Sequence, residues 1–251
     1  MTDEVTLQLL DRFVGDVRDL LSPLSVWAHG SLGGGDYRPG RSDLDLIAVL
    51  AQPCTHAERE RLGGLHRRLT ADLPLASRLH CGYLVAAEAD DTDRAHLTWA
   101  HEELSERPVS PVTRRELHEF GVVLYGRPPA GVLPPVTDRR LTEHVLRDLG
   151  GYWRPLVDRP ELWLADIWVD LGLLTLARAT VTLRTGALIT KAAALDVLAG
   201  ELGAPAEVVA DIRRRRYGDP EPATPEWLAR RAELTTAFLG PAIDRTVRDG
   251  R

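Results

Sequence analysis

Asp43 and Asp45 stand two residues apart at the head of an apolar run, Asp43-Leu44-Asp45-Leu46-Ile47-Ala48-Val49-Leu50, and this pattern restricts the chain more than any other. The run reads as a strand. Side chains alternate faces along a strand, so Asp43 and Asp45 point to the same side. Two carboxylates this close repel each other and are costly to bury unpaired. A divalent cation removes that cost. Hard oxygen donors placed this way suit Mg²⁺, which is held by one or two carboxylates together with substrate phosphates. Asp43 and Asp45 are therefore the candidate metal ligands. Before them, Val26-Trp27-Ala28 suits a short buried strand, and His29-Gly30-Ser31 opens a loop with Gly33, Gly34, Gly35 and Gly40. Gly30 and Ser31 are small, so their N–H groups are able to approach a phosphate closely. The plainer reading, an acidic strand end after a flexible Gly-rich loop, would fit a lone Asp-Xaa-Asp better than it fits this combination.

Composition narrows the classes. The 251 residues make room for one large or two modest domains. A net charge of −6 argues against a nucleic-acid partner and suits a small cationic substrate. Cys54 and Cys81 have no CxxC spacing, which fits a reduced, cytoplasmic setting. No stretch reaches the roughly 18 uninterrupted apolar residues of a membrane span, so no membrane partner is expected. The acidic N-terminus does not have the pattern of a signal peptide.

Taken in order, residues 4–21 read as a helix with Leu7, Leu10, Phe13, Val14, Val17 and Leu21 on one face. Residues 25–50 form the strand-loop-strand unit. A helix follows over 55–73, capped by Thr55 with Glu58 three residues on, and then a strand over 79–87. The acidic stretch 86–93 reads as a solvated turn, 97–106 as a short polar segment, and 113–125 as a helix with Thr113 and Glu116 as a capping box. The Pro- and Gly-rich stretch 127–135 is the candidate linker. Past it strand patterns vanish, and helices are expected over 138–156, 161–185, 190–202, 205–216 and 225–239. The domains are placed at 1–135 and 136–251. The expected fold class is α+β: a mixed sheet flanked by helices, then an all-helical bundle.

The Gly-Ser turn, the loop of about a dozen residues and Ser42-Asp43-Leu44-Asp45 on a strand resemble the nucleotidyltransferase (DNA polymerase β-like) superfamily. The likeness extends to the aminoglycoside adenylyltransferases of the streptomycin/spectinomycin type, which join such a domain to a helical bundle. Trp99-Ala100-His101-Glu102-Glu103 is similar to that family's Trp followed by two acidic residues. Leu174-Thr175-Leu176-Ala177-Arg178, Thr185-Gly186 and Lys191 are similar to its Leu-Thr-Leu-Ser-Arg, Thr-Gly and Pro-Lys elements. The resemblance implies Mg²⁺-dependent transfer of AMP from ATP to a hydroxyl of a small cationic acceptor such as an aminoglycoside or aminocyclitol. It implies that Gly30, Ser31 and Ser42 serve the nucleotide and that Arg178 and Lys191 contact the triphosphate. Arg offers a planar fork to phosphate and Lys a point charge; Lys191 is the only lysine in the chain. Trp99 would stack on the acceptor ring, and Glu102, Glu103 or Asp166 would meet its cationic groups. Trp163 and Trp168 share a helix pattern with Asp166 and suit core packing as well.

Where that family places a third carboxylate as general base, this chain has His80. A neutral His accepts a proton, so base chemistry survives the exchange. Three readings stand: His80 is the base, or Glu88, Asp90 or Asp91 reaches in from the following loop, or the enzyme is impaired or retooled. A nucleotidyltransferase acting on a protein or another small molecule, and a nucleotide-binding protein without turnover, are the alternative functions. Arg213 to Arg216 read as a solvated helix face rather than a phosphate site, and the remaining histidines have no metal-ligand spacing. His29 stands out because it precedes the Gly-Ser turn.

Overall fold

The computed structural model describes residues 3–250. The chain divides into two compact units, Met1–Val136 and Thr137–Arg251.

The first unit is a six-stranded mixed sheet in the order β5-β4-β3-β2-β1-β6. Its strands are β1 (Ser25–Ala28), β2 (Leu44–Leu50), β3 (Leu79–Val85), β4 (Ala95–Ala100), β5 (Glu103–Pro108) and β6 (Val122–Gly126). β2 and β3 run parallel, and every other pairing is antiparallel. The helices of this unit are α1 (Glu4–Leu21), the single turn α2 (Gly30–Gly33), α3 (His56–Asp72) and α4 (Pro111–Phe120). Helices α1 and α3 cover one face. Leu9, Phe13, Val17, Leu62, Leu65 and Leu69 from them pack on Leu44, Leu46, Cys81, Tyr83 and Trp99 from the sheet. The other face carries a smaller cluster of Trp27, Ile47, Val49, Leu84, Val109, Leu117 and Leu133. That cluster leaves part of the sheet uncovered at the start of β2 and β3.

Local chemistry explains most of these elements. Thr55 and Glu58 close a reciprocal capping box at the start of α3. Ser110 caps α4, with Pro111 at its first position, where a missing N–H costs nothing. Three expectations are corrected. Leu7 is exposed and Leu9 fills the core instead. The segment 97–106 is a β-hairpin rather than a polar connector. Its turn residues, His101 and Glu102, both have positive φ, the backbone of a tight hairpin turn. The expected helix over 113–125 ends at Gly121, and Val122 to Tyr125 pair with β1 as an edge strand, as suits Val-Val-Leu-Tyr.

The second unit is helical. It contains α5 (Asp138–Asp148), a wider π turn (Leu149–Trp153), α6 (Arg154–Leu156), α7 (Asp166–Thr185), α8 (Lys191–Gly200), α9 (Ala206–Tyr217) and α10 (Pro225–Asp249). The expected helix over 161–185 breaks at Ala165, because a 3₁₀ turn (Pro160–Leu164) carries Trp163 into the core. Trp163 lies so close to Gly172 that a Cβ there would meet the ring at 2.7 Å. Helix α10 continues past the expected end at 239, through Pro241. No described helix is long and apolar enough to cross a membrane.

Candidate active site

The uncovered corner of the first unit collects most of the chemistry foreseen there. Asp43 immediately precedes β2 and Asp45 is its second residue; both are part-exposed, while Leu44 and Leu46 between and beyond them are buried. The alternation thus puts both carboxylates on the open face. β3 and the residue just before it supply their neighbours. His80 is in register with Asp45, and its Nδ1 lies 3.7 Å from Asp45 Oδ1. Arg78 Nη1 lies 3.4 Å from Asp43 Oδ1.

The Gly-Ser turn meets Asp45 directly. The His29 N–H donates to the Asp45 carbonyl at 2.9 Å. Gly30 has φ +58°, and a Cβ on it would fall 2.5 Å from Asp45 Oδ2. Only glycine fits that conformation and that approach. Gly30 and Ser31 begin α2, and the first N–H groups of a helical turn have no partner inside it.

A concavity of about 230 Å³ opens beside this corner. His29, Asp45, His80, Gly82, Thr98, Arg107 and Thr113 are among the residues that line it. The His80 and His101 rings meet at 4.8 Å, bringing the tip of the β4–β5 hairpin, with Glu102, beside His80. His29 Nδ1 is bonded to Glu116 Oε2 at 2.9 Å, and both side chains are almost fully buried. Glu116 is therefore no capping residue, as the Thr113 spacing suggested; Ser110 accepts the N–H of Thr113 in that role.

Two carboxylates on one face, with Arg78 and His80 beside them, fit a Mg²⁺ ion. Among the described residues no third Asp, Glu, His or Cys joins them in a ligand cluster. Two protein carboxylates, with phosphate and water for the rest, is the usual donor count for Mg²⁺.

Residues 10–125 match the family model described as nucleotidyltransferase domain. The first unit therefore contains a nucleotidyltransferase domain. No curated protein matches it by sequence. Among solved structures it resembles the spectinomycin adenyltransferase AAD(9) from Enterococcus faecialis, crystallised with ATP and spectinomycin. The TM-score is 0.73 at 17% identity, over 95% of this chain and 99% of that one. At that identity the likeness establishes the shared fold: a nucleotidyltransferase domain followed by a helical region.

Some expected site residues lie elsewhere. Trp99 is no acceptor platform. It pairs with Cys81 on the helix-covered face, is 2% exposed, and stacks on His66 at 4.5 Å. Thr98 and Ala100, its neighbours, face the concavity instead. Ser42 is 3% exposed, and its Oγ accepts the Arg38 N–H at 3.1 Å, so it shapes the loop before β2 rather than facing a nucleotide. Glu88, Asp90 and Asp91 cannot reach in. They follow the far end of β3, and the five steps from His80 to Val85 alone span roughly 17 Å. Glu88 instead pairs with Arg94 at 3.0 Å.

In the second unit, Arg178 Nε donates to the Ile189 carbonyl at 3.0 Å, which sets Arg178 against the loop that leads to Lys191 at the start of α8. Asp166, the first residue of α7, accepts from the fully buried Arg231 at 2.6 Å. Arg231 also reaches Asp211, which in turn takes Arg214 and Arg215. Arg213 pairs with Asp196. Arg213 thus ties α9 to α8 and Arg215 reaches Asp170 of α7 at 2.7 Å, while Arg214 pairs within α9; the side chains of Arg213 and Arg214 remain about half exposed, as a solvated face requires. Trp163 is core, settling its role in packing. Thr98, Arg107, Thr113 and Glu116 were absent from the sequence-derived set, and only the alternation of β4 carried a signal for any of them.

Proposed function

We propose that this nucleotidyltransferase moves AMP from ATP to a hydroxyl of a small cationic acceptor of the aminoglycoside or aminocyclitol type. The observation that carries the reading is Asp43 and Asp45 on one open face, with the glycine of the Gly-Ser turn packed against Asp45. Asp43 and Asp45 would hold Mg²⁺. Bound there, the ion would offset charge on the transferring phosphoryl group and the departing pyrophosphate. Gly30 and Ser31 present backbone N–H groups to the phosphates. Arg178 and Lys191, both in the second unit, are the proposed cations for the triphosphate. His80, beside Asp45 on the wall of the concavity, is the proposed base for the acceptor hydroxyl; its Nε2 or Nδ1 takes the proton as the oxygen attacks the α-phosphorus. Glu102 at the hairpin tip and Asp166 on α7 are the proposed partners of the acceptor's amines. The AAD(9) structure, which holds ATP and spectinomycin, supports this class of acceptor. A cytoplasmic setting goes with it, since Cys54 and Cys81 are unpaired.

The test is pyrophosphate release with each of ATP, GTP, CTP and UTP against a panel of aminocyclitols and aminoglycosides. Release that needs Mg²⁺, an acceptor of this class and both Asp43 and Asp45 is the expected result. Release that survives Asp45→Asn would overturn the assignment. Label from ATP appearing on a protein in a lysate, and on no small molecule, would move the acceptor to the protein class.

A further inference from the structure

Helix α4 touches the phosphate turn at two places one helical turn apart. Glu116 Oε2 is bonded to His29 Nδ1 at 2.9 Å. Four residues on, the Phe120 carbonyl and ring lie against Gly33, so closely that a Cβ on Gly33 would meet the carbonyl oxygen at 2.4 Å. His29 and Gly33 are themselves four residues apart and bracket α2. Residues i and i+4 of a helix share one face, so a single face of α4 grips both ends of the turn. The helix is in turn anchored. Arg114, 1% exposed, donates to the Val109 carbonyl at 2.8 Å, to the Asp91 carbonyl at 3.0 Å and to the Ala89 carbonyl. Arg115 donates to the Val136 carbonyl at 2.9 Å.

A glutamate buried to 6% exposure is costly unless it does something for the fold or the site. Glu116 turns one carboxylate oxygen to the side chain that precedes Gly30 and Ser31. The His29 backbone is tied at the same point to Asp45 through its N–H. One residue therefore joins α4, the phosphate turn and the metal-binding strand.

We propose that Glu116 is a positioning residue for nucleoside triphosphate binding, acting through His29 to hold the Gly30-Ser31 N–H groups beside Asp45. This rests on the reading of that turn as the phosphate site. With Nδ1–H donating to Glu116, the ring is fixed, and the backbone behind it cannot swing away from β2. Neither residue needs to touch the ligand for the effect.

The experiment is calorimetric titration of the full chain with Mg-ATP, for the wild type, Glu116→Ala, His29→Ala, the double variant and Glu116→Gln. Each single alanine variant is expected to weaken binding about tenfold, the scale of one lost hydrogen bond to a charged group. The double variant is expected to weaken it no further, because both act through one contact. Glu116→Gln still offers an oxygen to Nδ1–H and is expected to stay within about threefold of wild type. Hydrogen exchange over 29–35 without ligand is expected to quicken in both alanine variants and not in Glu116→Gln. Wild-type affinity in Glu116→Ala, or losses that multiply in the double variant, overturn the inference. Should Glu116→Ala fail to fold, His29→Ala and Glu116→Gln decide: the first must weaken binding and the second must not. The readout is binding, so an unforeseen acceptor leaves it intact. A wild-type chain that binds no nucleoside triphosphate overturns the phosphate-turn reading and this inference with it.

Discussion

His66 and His80 stand on opposite faces of the six-stranded sheet and do opposite work. On the helix-covered face, His66 stacks on Trp99 with the rings 8° from parallel and bonds to the Tyr83 hydroxyl at 2.7 Å. Burial pushes its pKa down to about 3. On the other face, His80 stands beside Asp45 and lines the concavity, its ring edge against His101. The same alternation serves both. Thr98 and Trp99 are adjacent in the chain, yet one lines the concavity and the other packs the core. The covered face holds the unit together through dry aromatic contact. The open face keeps carboxylates, imidazoles and backbone N–H groups where a ligand can reach them.

If that division is real, substitutions on the open face change chemistry and leave stability alone, and those on the covered face do the reverse. The largest effect falls on Asp45→Asn. Transfer is expected to drop by ~10³ or more, as when a group that supports developing charge is lost, with the thermal midpoint within a few degrees of wild type. Scanning calorimetry and pyrophosphate release check the two halves. On the covered face, Trp99→Ala is expected to cost about 3–5 kcal/mol of folding stability in urea titrations, the usual range for deleting a buried aromatic. Its folded fraction should bind Mg-ATP as wild type does. A large loss of nucleotide affinity in a well-folded Trp99→Ala protein would break the comparison and restore Trp99 to the site. Next in size is His80→Ala. A base contributes roughly 10²–10⁴ in rate, so kcat should fall by at least the lower figure while Mg-ATP affinity holds. Equal loss in kcat and affinity would make His80 a binding group instead.

The division also explains what the sequence could and could not disclose. Asp43-Leu44-Asp45-Leu46 announces its own faces, because polar and apolar residues alternate cleanly and the buried partners are leucines. Trp99 lies in Ala95 to Ala100, where the same contrast is cut short by an alanine at each end. His96, Thr98 and Ala100 on one side and Leu97 and Trp99 on the other read as a polar stretch with a tryptophan in it. The hairpin that follows turns at His101 and Glu102, without the Asn-Gly or Asp-Gly pair that usually marks such a turn. Its strands were therefore invisible, and Trp99 looked like a loop residue free to stack on a ligand. Glu116 was hidden by a coincidence of spacing. Thr113 and Glu116 match a capping box, and only the fold brings His29, 87 positions away, to the glutamate. In the second unit the break at Ala165 depends on Trp163 finding Gly172, a contact between one turn and a later stretch of helix that periodicity alone does not contain. The elements were legible where local pattern decides them, and the site partners were not where long-range packing does.

The smallest effect is a matter of pH, and it tests how dry the covered face is around His66. Burial holds His66 neutral in the folded unit, with its pKa lowered from 6.5 to about 3. The unfolded chain still takes up a proton near pH 6.5. Between those values the unfolded state binds the extra proton, so stability rises with pH there and is lost as the pH falls from 6.5 toward 3. The slope is at most about 1.4 kcal/mol per pH unit for one such group. Other carboxylates join in below about pH 5, so the clean window is pH 5 to 7. Urea midpoints of the wild type and His66→Phe across that window isolate the His66 share. The wild type should lose stability relative to the variant as the pH is lowered, by about 2 kcal/mol at pH 5. Identical slopes for wild type and His66→Phe would mean that the imidazole under Trp99 takes up its proton without unfolding, and that the covered face is wetter than its packing indicates.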